Sequence, residues 1–171
     1  MGIIRRTYTF LNEETFLLLY KALVSPHLEF ACAAWHSYKQ KDIEAMENVQ
    51  RRATRQLASL KNLSYEERLE KLKLPTLSYR RLRGDMIEVY KILGGHYDPS
   101  LCDILPASGV THTRGHAKKL YKFRSRLDTR KYSFTQRVVD QWNSLPEEVV
   151  DAPSIYAFKT RLDKHWQDLS L

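Results

Sequence analysis

Apolar residues recur at steps of three and four along most of this chain, the period of an amphipathic helix rather than a strand. Asn12 followed by Glu13 and Glu14 predicts a helix start, because an Asn side chain caps free N–H groups and acids suit the positive end of the dipole. Phe16, Leu17, Leu19, Tyr20 and Leu23 then form a broad apolar face. Pro26 is expected to end or kink this run, since its ring removes a helical hydrogen bond. The next stretch holds Leu28, Phe30, Ala31, Cys32, Ala34 and Trp35 with few charges, and is expected at the buried centre of a helical packing unit. The cleanest amphipathic pattern covers about 42–60, with Ile43, Met46, Val49, Ala53, Leu57 and Leu60 on one stripe. Ser64 and Glu67 match the S-x-x-E capping box of a short helix burying Leu69 and Leu72. After Pro75-Thr76, another stripe of Leu77, Tyr79, Leu82, Met86, Val89, Tyr90 and Leu93 runs to the closing pair Gly94-Gly95.

The pattern changes after Asp98-Pro99. Residues 105–115 are rich in Ser, Thr, Gly and Pro and read as a loop. Lys119-Leu120-Tyr121-Lys122-Phe123 alternates with period two, which predicts one or two short strands. Helical spacing returns with Phe134, Val138 and Trp142, breaks at Leu145-Pro146, and resumes after Pro153-Ser154 with Ile155, Phe158, Leu162 and Trp166. The expected fold is mainly α, ending in a basic α+β tail with at most a small hairpin. A length of 171 residues fits one domain, or a compact domain with an appendage.

Charge changes the picture. Of the 28 Lys and Arg, nine lie between 114 and 137: Arg114, Lys118, Lys119, Lys122, Arg124, Arg126, Arg130, Lys131 and Arg137. Only Asp128 opposes them there, while the remaining 19 bases match the remaining 19 acids. An unbalanced block of this kind suits a polyanion, nucleic acid first among them. Tyr121, Phe123 and Tyr132 interleave with these cations; base stacking and the buried face of a strand both explain them. Arg51, Arg52 and Arg55 form a second candidate contact, though cations near a helix C-terminus also complement its dipole. With no groove-reading motif in view, sequence selectivity should be weak.

Catalytic chemistry is sparse. Glu13-Glu14, Glu66-Glu67 and Glu147-Glu148 all sit near expected helix starts, and no Asp-Asp pair exists to seed a two-metal site. Cys32 and His36 are one helical turn apart, but a structural zinc usually takes four ligands, so a buried thiol is the better reading. Cys102 stands alone. His112 and His116 are read as a solvated pair beside the basic tract. Trp35, Trp142 and Trp166 fall on apolar stripes and are assigned to the core. Nucleophile-elbow, P-loop and dinucleotide patterns are missing, so no cofactor, metal or small-molecule substrate is expected. Two cysteines, no signal peptide and no run of about 20 apolar residues place the chain inside the cell, in cytoplasm or nucleus, away from membranes.

Several strings resemble a known family. They are Gly2-Ile3-Ile4-Arg5-Arg6, Leu19-Tyr20-Lys21-Ala22-Leu23-Val24, Pro26-His27-Leu28-Glu29-Phe30 and Val49-Gln50-Arg51-Arg52-Ala53-Thr54. They continue with Ser64-Tyr65-Glu66-Glu67-Arg68-Leu69, Leu74-Pro75-Thr76-Leu77 and Tyr79-Arg80-Arg81-Leu82-Arg83-Gly84-Asp85. Thr113-Arg114-Gly115-His116, Arg137-Val138-Val139 and Trp142-Asn143-Ser144-Leu145-Pro146 complete the set. In this order they resemble the region after the palm in reverse transcriptases of non-LTR (LINE-type, Jockey-like) retrotransposons. The resemblance implies a thumb-like helical unit over 1–60, a helical connector over 61–104 and a basic C-terminal extension over 105–171. It also implies contact with RNA or DNA template–primer, and a polymerase palm as a docking partner. Ser25 and Ser133 depart from the family pattern, and the metal-binding aspartates of a palm are not in this sequence. The expectation is therefore a segment without catalysis. A structural module that docks on a palm or self-associates is the rival.

Overall fold

The computed structural model describes residues 11–32, 34, 37–109 and 115–167, without the side chains of Pro99 and Cys102. The string 2–6, Trp35, His36, His112, Thr113 and Arg114 lie outside the described residues. The described chain is mainly helical and divides into two compact units, 11–31 with Ser37–Arg81, and Leu82 onward with Cys32 and Ala34.

In the first unit, α1 (Glu13–Leu19) starts where Asn12 Oδ1 accepts the Thr15 N–H at 2.8 Å. It runs directly into a π-helical turn, Tyr20–Val24, and then α2 (Ser25–Glu29). Pro26 does not end the run. It occupies the first turn of α2, where a missing N–H is least costly, and the wider turn ahead absorbs the change of register. The described residues of the apolar stretch after it do not form the buried centre expected. The helix stops at Glu29, Phe30 turns extended, and Ala31 takes φ +49°, so the spacing that would bury one face is lost. Leu28 is buried, whereas Phe30, Ala31 and Ala34 face solvent.

Helix α3 (Gln40–Thr54) is shorter than its apolar stripe; Leu57 and Leu60 enter the core from the turn and 3-10 segment (Ala58–Leu60) that follow. Its buried face is also rotated from the apolar one, because Val49 is exposed and Gln50 is fully buried. Gln50 is tolerated there because its amide is satisfied. The Tyr20 hydroxyl donates to Oε1 at 2.7 Å, and Nε2 donates to the Tyr65 hydroxyl and the Pro75 carbonyl, both at 3.1 Å. Burial pushes the Tyr20 phenol up to about 12, so it stays a donor at ordinary pH. Tyr65 donates onward to Glu47, which accepts the Leu77 N–H at 3.0 Å. Helix α4 (Tyr65–Leu72) opens on the expected capping box: Glu67 N–H to Ser64 Oγ at 3.2 Å and Ser64 N–H to Glu67 Oε2 at 2.6 Å. Residues on both sides of position 60, Leu57 and Leu60 with Leu69, Leu72, Leu74 and Leu77, share one core with Phe16, Tyr20 and Ala53.

Helix α5 (Leu77–Leu93) crosses from the first unit to the second, the division falling between Arg81 and Leu82. Gly95, at φ +69°, closes it as expected, with His96 N–H reaching the Lys91 carbonyl at 3.0 Å. The second unit continues with a 3-10 segment (Pro99–Ile104), α6 (Asp128–Lys131), α7 (Phe134–Ser144), α8 (Glu147–Val150) and α9 (Ile155–His165). Ser154 caps α9 by accepting the Ala157 N–H at 3.1 Å. Trp142 and Trp166 are buried as their spacing predicts, and Tyr90 stacks on Phe158 with ring centroids 4.3 Å apart. No strand forms among the described residues. The α+β tail reduces to one antiparallel bridge, Ala107 to Leu120.

Two substitutions test this account by urea denaturation. Gln50→Leu strands the Tyr20 hydroxyl and the Pro75 carbonyl, while Tyr65 keeps its bond to Glu47, and should cost about 2–4 kcal/mol. Gly84 sits inside α5 with open space where a Cβ would go, so Gly84→Ala should stabilise by about 0.5–1 kcal/mol.

Candidate nucleic-acid interface

The basic tract is held by side chains of α7 rather than by a sheet. Around Leu120, Ser108 N–H bonds the Lys119 carbonyl and Tyr121 N–H bonds the Pro106 carbonyl, both at 2.8 Å. The N–H and C=O of Leu120 itself point the other way, and Asn143 takes both. Its Oδ1 accepts the Leu120 N–H and its Nδ2 donates to the Leu120 carbonyl, each at 2.9 Å. A side-chain amide thus fills the place of a second strand, which is why alternation at 119–123 yields no hairpin. One residue earlier on α7, Trp142 Nε1 donates to the Lys118 carbonyl at 2.8 Å. His116 is not solvated. It is buried, with Nε2 3.0 Å from the Trp142 carbonyl and its ring edge-on to the indole, because Trp142 draws this stretch of chain into the core.

The cations of the tract fall into distinct roles. Lys118 pairs with Asp151 at 2.8 Å, and Lys122 pairs with Asp140. Arg137 departs from the surface role its position in the tract suggests. It forms a two-pronged pair with Asp85, 2.9 Å on each prong, and donates to the Cys32 carbonyl at 3.0 Å. The partners' side chains are only 12% and 4% exposed, so this guanidinium serves the interior. Lys119 is half-buried and engaged within the fold. Arg124, Arg126, Arg130 and Lys131 are exposed and carry no carboxylate partner among the described residues. Lys131 lies over the Tyr132 ring at 5.3 Å. Tyr121, Phe123 and Tyr132 are exposed as well, so the buried-strand explanation of these aromatics does not hold. Tyr121 and Phe123 meet edge to face at 4.9 Å.

In the first unit, Arg51 and Arg52 end α3 and Arg55 follows it, all three exposed. Arg51 donates to Asn48 at 2.6 Å and lies 4.9 Å over the Tyr65 ring. Sequence inspection missed Arg68, which joins this group. It is 4% exposed, lies 5.8 Å over the same ring, and its Nε has no hydrogen-bond partner. Burial, then Arg55, and more weakly Arg51, depress its pKa below the usual arginine range, while the Tyr65 ring opposes them. The signal was its place beside Leu69, on the buried side of a helix whose start the capping box marks.

Among the described residues no three His, Cys, Asp or Glu side chains gather to hold a metal ion, and no helix is long and apolar enough to cross a membrane. Comparisons with protein-family models, curated proteins and solved structures returned no match for this chain.

Asn143→Leu should leave both Leu120 backbone groups unpartnered. We expect a loss of about 2 kcal/mol and faster amide exchange at Leu120, followed by hydrogen–deuterium exchange. Exchange at Leu69, inside the first unit's core, should change little if the effect is local.

Proposed function

We propose that this chain is a non-catalytic nucleic-acid-binding segment of a retrotransposon-type RNA-directed DNA polymerase, holding RNA or DNA through its phosphates. One observation carries the proposal. Arg124, Arg126, Arg130 and Lys131 follow one another closely in sequence, face solvent, and have no carboxylate partner among the described residues. Such cations gain by displacing the counterions of a nucleic acid. The exposed aromatics Tyr121, Phe123 and Tyr132 supply stacking faces beside them. Arg51, Arg52 and Arg55, with Arg68 behind them, form a second cationic group in the other unit. The ordered strings that resemble non-LTR reverse transcriptases support the polymerase origin, and the helical first unit takes the part of the thumb. The lack of any Asp-Asp pair supports a role without nucleotide transfer.

A second reading has its own observation. Leu18 is 71% and Phe30 74% exposed in the first unit, an apolar surface suited to a polymerase palm or to another copy of the chain. Size-exclusion chromatography separates the two. A monomer that shifts only with nucleic acid supports the first; an oligomer indifferent to nucleic acid supports the second.

Affinity for a single strand should fall linearly with salt on a log–log plot. Replacing Arg124, Arg126 and Arg130 together by Ala should reduce the steepness by about 2, from roughly 0.7 per lost phosphate contact. Lys118→Ala and Lys122→Ala should change it little, because both ammonium groups are already matched by Asp151 and Asp140. A slope near zero in the wild-type protein would remove the proposal.

A further inference from the structure

A cleft of about 290 Å³ opens within the tract, lined by Lys122, Phe123, Arg124, Ser125, Lys131 and Gln136. Its volume is at the small end of ligand sites, which run from about 300 to 1,000 Å³. Gln136, on the first turn of α7, is only 5% exposed, yet its Oε1 has no hydrogen-bond partner. Ser125 Oγ is likewise enclosed and unpartnered. Buried polar atoms in folded proteins are nearly always satisfied, so two orphans on residues that line one cleft mark a place where a small side-chain rotation toward a ligand supplies the missing bonds.

The walls define that ligand. Arg124 and Lys131 bring positive charge that no carboxylate balances among the described residues, whereas Lys122 is paired with Asp140. Phe123 contributes an apolar ring, 43% exposed. Gln136 offers a carbonyl acceptor and an amide donor, and Ser125 a hydroxyl that both donates and accepts. Phosphate alone would meet the cations but leave the Gln136 carbonyl without a donor and the exposed side of the Phe123 ring uncovered. A duplex presents its bases already paired and stacked. An unpaired nucleotide supplies all three features: an anion, a flat ring, and N–H or O–H donors on base and ribose.

We infer that this cleft takes one unpaired nucleotide of an RNA or DNA strand, with its phosphate on Arg124 and Lys131 and its base or sugar donors on Gln136 and Ser125. The inference rests on the nucleic-acid reading above and sharpens it: the tract discriminates a base-bearing single strand from bare phosphate. Gln136 is then a positioning contact that contributes preference, while Arg126 and Arg130, which do not line the cleft, contribute charge alone.

Fluorescence anisotropy on the full chain tests this with three probes of equal phosphate count: a mixed-sequence single strand, an abasic strand and a duplex. The single strand should bind about tenfold tighter than the abasic strand, the scale of one base stacked and bonded. Gln136→Met keeps the side chain's length and should abolish most of that ratio while leaving the salt slope unchanged. Because Met removes an unsatisfied buried carbonyl, its melting temperature should not fall, which reports that the variant is folded. Phe123→Ala, at an exposed position, should also lower the ratio. Arg126→Ala should reduce the slope and leave the ratio intact. Equal binding of abasic and ordinary strands, or an undiminished ratio in both Gln136→Met and Phe123→Ala, overturns the cleft while the phosphate-binding reading stands. Failure of every probe to bind at low salt overturns both.

Discussion

The buried pair between Arg137 and Asp85 is the constraint on which the second unit depends. Both side chains are withdrawn from water, and such a pair holds only when its geometry and remaining hydrogen bonds are nearly complete. Two prongs at 2.9 Å and a third bond to the Cys32 carbonyl meet that condition. Losing one partner would leave an uncompensated buried charge, a cost of about 3–5 kcal/mol. The pair therefore fixes α7 against α5, and α7 carries everything that organises the basic tract. Gln136 adjoins Arg137 on one side, and Trp142 and Asn143 lie along the same helix.

That arrangement gives the string Trp142-Asn143-Ser144-Leu145-Pro146 a physical meaning. The indole holds the Lys118 carbonyl, and the Asn143 amide takes both backbone groups of Leu120. Ser144 donates to the Gln141 carbonyl at 2.8 Å, Leu145 is buried, and Pro146 turns the chain into α8. A polar side chain supplying a strand's hydrogen bonds lets a highly charged segment lie on a helix without an exposed sheet edge. Backbone order and side-chain availability are thereby separated. The stretch around Leu120 is anchored, and the cations that follow it are presented outward.

Charge is sorted rather than merely accumulated. Aspartates from outside the tract, Asp85, Asp140 and Asp151, neutralise Arg137, Lys122 and Lys118. What remains is a shorter cationic stretch with aromatic rings beside it and two unsatisfied polar atoms on residues that line a cleft. The first unit follows a different logic. Its Gln50 network is satisfied, and Arg51 and Arg68 share one tyrosine ring, with Arg68 enclosed among like charges.

Local chemistry was legible in the chain itself. The Asn12 cap, the Ser64–Glu67 box, the Gly94-Gly95 stop and the Ser154 start involve neighbours within a turn, so sequence spacing alone determines them. The stripe of Phe158, Leu162 and Trp166 followed for the same reason. Long-range pairing was not legible. No pattern near Leu120 announces that Asn143 will stand in for a strand, and none near Arg137 announces Asp85, 52 residues away. Nothing in the spacing around Gln50 or Arg68 marks them as buried, because isolated polar residues ordinarily belong in water; only partners brought from elsewhere in the fold make their burial tolerable. The sequence alone thus determined the helices and the existence of a cationic segment. Tertiary structure decided which of those cations meet a carboxylate and which are left to meet something else, because neutralisation depends on distance through space.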